Sequence, residues 1–142
     1  EIRGMLREVT EIESIGDSCY NLARTINRKR SGGNDFTEKQ YEHIHQMMQL
    51  TDDALAQMIA VVEDEHHAVD VNKSFNIENE MNNYRAQLKN QNVVDVNNKE
   101  YDYQMGVHYM DIIGECEKLG DYVVNVVEAR TNVKEKKTGD NR

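Results

Sequence analysis

Two stretches of the chain carry acids at a spacing that could hold a cation. Glu13, Asp17 and Asn21 stand at i, i+4, i+8, and Glu117, Asp121 and Asn125 repeat that spacing. Side chains four apart share one face of a helix, so each stretch presents two carboxylates and an amide in a row. Like charges at i, i+4 destabilise a helix by roughly 0.2–0.5 kcal/mol, and keeping the arrangement twice implies that something cationic offsets it. Hard oxygen donors of this kind suit Mg²⁺, Ca²⁺, Mn²⁺ or iron. The plain alternative is a solvated acidic face.

The two rows belong to a longer match. Residues 11–21 (EIESIGDSCYN) lie over residues 115–125 (ECEKLGDYVVN), with Glu, Glu, Gly, Asp and Asn identical at a constant offset of 104. Five such coincidences fall well below roughly one in a thousand by composition, so the match is an internal repeat. Gly16 and Gly120 occupy seam positions in their segments, where the missing side chain lets another helix come close. A mid-helix Gly costs about 0.5–1 kcal/mol relative to Ala, so both need a packing reason.

The elements that must position these residues are helices. Segment one reads Ile2, Met5, Val9, Ile12, Gly16, Cys19, Ala23, Ile26, a heptad seam of alternating three- and four-residue steps. It should stop at the breaker cluster Ser31–Asn34. Segment two opens with Asp35 or Thr37 as N-cap, Asp35 having Glu38 three residues on as in a capping box. Its seam is Tyr41, Ile44, Met48, Thr51, Leu55, Met58, Val62, widened by Met47 and Ile59, and the run Glu63–His67 suggests a turn. Segment three covers about residues 66–91, with Ile77, Met81, Tyr84 and Leu88 as seam and Val69 and Phe75 beside it. Residues 91–98 read as a connection. Segment four runs from about Lys99 to Val133 on the seam Gly106, Tyr109, Ile113, Cys116, Gly120, Val123, Val127. Residues 1–133 are thus expected to form an all-α antiparallel bundle of four long helices, and 134–142 a polar, frayed tail.

Composition agrees and narrows the function. The 142 residues suit one domain, and a chain without Pro, with eight Gly, favours long helices over many-turned sheets. The net charge of −9 argues against nucleic-acid binding, which needs a basic face. The basic run Arg24–Arg30 ends segment one, where cations suit a helix C-terminus. Cys19 and Cys116 lie on apolar faces without a CxxC and read as reduced core residues. Met47, Met48, Met58 and Met81 read as core filler. No apolar run is long enough to span a membrane, while the start at Glu1, inside a helical pattern, looks like a cut from something longer.

The repeated acids with Ile- or Leu-Gly-Asp and a following Asn resemble the E/D-x-x-x-D signature of the PhoU family. Members of that family build a pair of three-helix bundles with one motif on the last helix of each. The resemblance implies that segments two to four are the second bundle and segment one the last helix of the first. It covers most of this chain but about two thirds of a full PhoU unit, and the usual Arg before Ile-Gly-Asp is Ser14 in one copy and Lys118 in the other. Because family members bind multinuclear metal clusters on these motifs, it implies Glu13, Asp17, Glu117 and Asp121 as ligands of divalent or ferric ions (Mn, Fe, Zn or Mg). Asn21, Asn125, Glu78 and Glu80 are weaker candidates.

The same resemblance implies a regulator of phosphate uptake at the cytoplasmic face of a bacterial inner membrane. The preferred parent is a sodium-dependent phosphate cotransporter, the partner being the membrane portion of the same protein. The alternative is a stand-alone accessory regulator of a phosphate-specific ABC transporter and its sensor kinase. A homo-oligomer would cover the seam that a lone fourth helix leaves exposed. Enzyme readings lack their residues. A carboxylate-bridged di-metal enzyme needs Glu-x-x-His on two helices, and neither repeated acid has His at i+3. A phosphotransfer bundle would rest on His108 alone, and a helix-borne His is far more often an ordinary packing or surface residue.

Overall fold

The computed structural model describes residues 2–31 and 35–132, with side chains placed for all of these but 28–31. Four helices follow one another: α1 (Ile2–Ser31), α2 (Glu38–Glu63), α3 (Asn72–Asn97) and α4 (Tyr103–Thr131). The expected all-α architecture is the one observed. α2, α3 and α4 each pack on the other two as a three-helix bundle, and α1 packs on α4 alone.

α4 therefore sits at the centre. A helix with neighbours on three sides must be apolar nearly all round. Accordingly Tyr109, Ile112, Ile113, Cys116, Leu119, Gly120, Val123, Val124, Val126 and Val127 are all buried. The seam expected for this segment is buried throughout. Met47 and Met81 face it from α2 and α3 with no exposed surface, as core filler.

The boundaries follow from local hydrogen bonds. α2 starts at a true capping box, but on Thr37 rather than Asp35. The Gln40 N–H donates to Thr37 Oγ1 at 3.1 Å, and the Thr37 N–H donates to Gln40 Oε1 at 2.9 Å. Asp35 instead accepts from the Phe36 N–H and the Tyr41 hydroxyl. The buried row of α2 is Gln40, Ile44, Met47, Thr51, Ala54, Val61, about one residue off the expected seam. Tyr41 and Ile59 are 46% and 50% exposed. The helix must face α3 and α4 together, so the small Thr51 and Ala54 take the centre while Met48, Leu55, Met58 and Val62 pack from the flank.

Segment three begins later and ends later than expected. Residues 64–71 are a loop, because the Asp64 carboxylate accepts the N–H groups of Val69 (2.7 Å) and His66 (3.2 Å) and so holds the chain out of helix. Those bonds, led by the one from Val69, also hold the Asp64 carboxyl below its ordinary pKa. At the other end α3 continues to Asn97, through the stretch expected as a connection. Burial of Phe75, Met81 and Leu88 overrides the weak helix propensity of its asparagines. Asp102 then caps α4 by accepting the Met105 N–H at 2.7 Å, three residues after the expected start. Asn132, in the left-handed region at φ 55°, closes it. The tail 134–142 lies outside the described residues.

α1 holds the largest departure. The face it lays on α4 contains Gly4, Glu8, Glu11, Ile15, Ser18, Leu22 and Thr25, all half-buried or buried. Its apolar seam points elsewhere: Ile2, Met5, Val9 and Ile12 are 75%, 64%, 56% and 46% exposed. Gly16 and Cys19 on the same row are exposed too. Cys19 is therefore no core residue. Burial keeps only Cys116 inside and pushes its thiol up to about 11.

Candidate functional site

The two copies of the repeat lie against each other. α1 and α4 run antiparallel: Gly4 approaches Ala129, Arg7 reaches Glu128 at 3.2 Å, and Glu11 reaches Asn125. Two like segments crossing antiparallel are related by a local two-fold axis, with Gly16 and Gly120 flanking it. This symmetry sorts the five repeated residues. Asn125 Nδ2 donates to Glu11 Oε2 at 3.2 Å, and the counterpart pair, Asn21 and Glu115, lines one groove at the other end of the crossing. The Asn of the second copy and the first Glu of the first copy thus tie the two helices together at one end of the crossing. Glu11 was absent from the expected site, although its place among the five identities marked it.

Glu13 and Asp17 stand on α1 away from α4, both exposed. Glu117 faces α3, where Arg85 Nε lies 3.1 Å from its Oε2, and Asp121 is exposed one turn on. Burial first, then the Asp121 charge, pushes the Glu117 carboxyl above its ordinary pKa, against the pull of Arg85 and Lys118. Glu78 is 8% exposed and accepts from Asn82 Nδ2 at 2.6 Å, while Glu80 is exposed. Arg85, the one arginine of segment three, was not anticipated. Its place four residues after seam residue Met81 was the available signal.

The four acids are not gathered into one centre. Among the described residues no three His, Cys, Asp or Glu side chains stand close enough to hold a metal ion together. Each motif offers two carboxylates one turn apart, and Glu117 is already engaged by Arg85. A bound ion needs more donors than that, so the described residues alone do not complete a site.

The two glycines differ in the same way as the acids. A Cβ on Gly120 would lie 2.9 Å from Met81 Sδ and 3.2 Å from Met81 Cε, so α3 crosses α4 where the side chain is missing. A Cβ on Gly16 would meet nothing within 4 Å. At the offset of 104, the open seam of α1 matches the shut seam of α4 residue for residue. Met5, Val9, Ile12, Cys19 and Ala23 correspond to Tyr109, Ile113, Cys116, Val123 and Val127, which are at most 2% exposed.

At one end of the bundle, Thr37, Gln40, His43, Asn92, Asp95 and Tyr101 help to line a polar cavity of about 220 Å³. His43 Nδ1 lies 2.9 Å from the Tyr109 hydroxyl. Burial raises the Tyr109 pKa and keeps its phenol protonated, so the hydroxyl and the His43 ring share this hydrogen bond. Burial, then the Lys39 charge, lowers the His43 pKa from 6.5, against Glu42 and Asp95. The unfolded chain then binds more protons than the folded one just below pH 6.5, so His43 adds stability above that value and loses it as pH falls through the lower folded pKa. Thermal melts of the wild type and His43→Gln across this window check the point. The wild type should lose more stability on acidification, and parallel losses would contradict it.

No helix of the described residues is long and apolar enough to cross a membrane. No curated protein and no solved structure matches the chain. The model of the PhoU domain matches residues 44–129, more than half of the sequence, running from α2 to the end of α4 and taking in the second copy of the repeat. The chain belongs to the PhoU domain family.

Proposed function

We propose that this chain is a regulatory domain of phosphate uptake that works by docking helices and carries no catalytic centre. The observation that carries this reading is the pairing of a shut seam on α4 with an open, equivalent seam on α1 in a PhoU-family domain. An apolar row exposed over about three turns is a surface for a partner, beyond the scattered apolar residues any surface has. The finer reading places the domain at the cytoplasmic face of a bacterial inner membrane, attached to a sodium-dependent phosphate cotransporter. The transporter would be controlled through the partner that covers α1. A ligand or partner shifts such an equilibrium only by its unequal affinity for the two packings.

The test is phosphate uptake in cells carrying the parent protein intact, with residues 1–132 removed, or with Glu13, Asp17, Glu117 and Asp121 all replaced by Ala. Uptake that follows external phosphate in the intact protein should lose that dependence in the deletion. Unchanged dependence would contradict the regulatory role. The quadruple variant also weighs ions against docking. Mn, Fe, Zn or Mg purified with the chain in stoichiometric amount, and lost with the acids, would make the motifs half-sites completed by donors from outside the chain. The pairing of two carboxylates one turn apart, Glu117 and Asp121, is the feature that favours a cation there.

A further inference from the structure

The polar cavity at the end of the bundle is built by α2, α3, α4 and the residues between the last two, and it shares no residue with the repeated acids. Local bonds shape it. The backbone turns at Lys99 with φ 59°, and the Glu100 N–H then donates to the Asp95 carbonyl at 2.9 Å, so both acids line the cavity. Asp95 Oδ1 accepts from Gln91 Nε2 at 2.9 Å, which holds the carboxylate in place. Gly106 makes room for Asn92, since a Cβ there would lie 2.9 Å from Asn92 Oδ1. That oxygen accepts the Tyr101 hydroxyl at 2.7 Å, which leaves the phenol oxygen only lone pairs to offer.

Gln40 is the group this arrangement leaves unsatisfied. It is 2% exposed, and its Oε1 is committed to the Thr37 N–H of the capping box. That bond also fixes which end of the amide remains, because an N–H needs an oxygen opposite it. Gln40 is close enough to Tyr101 to oppose the rise that burial, then Asp95, imposes on the phenol's pKa. Yet its Nε2 makes no hydrogen bond to any of the described residues. A buried donor left without an acceptor is costly, and native structures supply one.

The lining selects what can supply it. A bare metal ion does not fit, because Gln40 presents hydrogens and no three His, Cys, Asp or Glu side chains gather among the described residues. A polyanion would face Asp95 and Glu100 with Lys39 as its counter-charge, since burial, then Lys39, lowers the His43 pKa and favours its neutral ring. The cavity volume of about 220 Å³ is below the ~300–1,000 Å³ of sites that take drug-sized ligands. We propose that this cavity binds a small zwitterion of the α-amino acid class. Its carboxylate accepts from Gln40 Nε2 and Lys39 Nζ, and its ammonium donates to Asp95 and Glu100. Bound there it links the ends of α2, α3 and α4 and stabilises the bundle by mass action. The site uses neither α1 nor its partner, so it stands or falls apart from the regulatory reading above.

The probes are glycine, L-alanine and L-serine, titrated to millimolar concentration into the isotope-labelled native chain while the Gln40 side-chain amide signals are followed by NMR. Saturable shifts of those signals are expected with at least one of the three. Ethanolamine, acetate and glycerol lack one charge or both, and should bind at least about tenfold more weakly than that amino acid. Gln40→Glu keeps an acceptor for the Thr37 N–H but removes the donor, and Asp95→Asn keeps the shape but removes the charge. Each should weaken binding of the amino acid at least about tenfold, read for Gln40→Glu from the backbone amides around the cavity. Thermal melts without ligand verify that both variants fold. Gln40 signals that stay still with all three amino acids would mean that water alone satisfies Nε2, and would overturn the proposal. So would equal responses to the amino acid, acetate and glycerol, or binding unchanged in both variants.

Discussion

Replacing Ile113 by Ala should destabilise the chain by about 2–5 kcal/mol, whereas Val9→Ala should stay within about 0.5 kcal/mol. The two residues are counterparts in the repeat, yet Ile113 has no exposed surface and Val9 is 56% exposed. Ile113 lies in the main core cluster, amid Met47 of α2 and Met81 of α3. Truncating it loses the transfer free energy of the removed methyl and methylene groups and leaves a cavity the neighbours fill only in part. Val9 has water on its outer side already, and Ala is the better helix former. Equilibrium denaturation of the two variants measures the contrast. Similar losses at both positions would mean that α1's seam is covered in solution.

Gly120→Leu and Gly16→Leu should change stability in opposite directions. At position 120 even a Cβ falls 2.9 Å from Met81 Sδ. A methionine tip can swing aside for a methyl group, but an isobutyl group needs α3 itself to move. Overpacking of this kind costs about 1–3 kcal/mol and outweighs the ~0.5–0.8 kcal/mol of helix propensity gained. At position 16 nothing lies within 4 Å of the added Cβ, so the propensity gain stands alone. The midpoint should fall for Gly120→Leu and rise slightly for Gly16→Leu. Losses of equal size in both would place a helix over Gly16 in the chain as it stands.

How far the fold could be read in advance depended on how many sides of each helix are buried. α4's seam was legible because nearly every apolar residue on that helix is inside, so any plausible row lands in the core. α2 must face two neighbours, and its stripe is wide enough that periodicity could not choose between the row of Met47 and that of Met48. α3 defeated boundary rules at both ends. Asp64 spends its carboxylate on holding a loop, and α3 continues to Asn97 despite its asparagines. α1's apolar row was legible as a seam, and its exposure was foreseen only through the resemblance to a family with a second bundle. The polar face that meets α4 was not visible, because Glu11, Ser18 and Thr25 do not look like packing residues.

The acids were legible from spacing alone, but their disposition was not. It depends on how two copies of one motif cross, which no single copy encodes. The crossing turns Glu11 and Asn125 toward each other, leaves Glu13 and Asp17 outside, and brings Glu117 to Arg85. A motif that looked like one site is therefore three things: a helix clamp, an ion pair with α3, and an acid beside an open notch.

The claim on which all this rests is that one seam of the repeat is shut and its copy is open. Counting reactive thiols in the native chain measures that most directly. One thiol per chain should be labelled without denaturant, mapped to Cys19 by peptide mass, with Cys116 reacting only on unfolding. Two protected thiols, or Cys116 labelled ahead of Cys19, would contradict it.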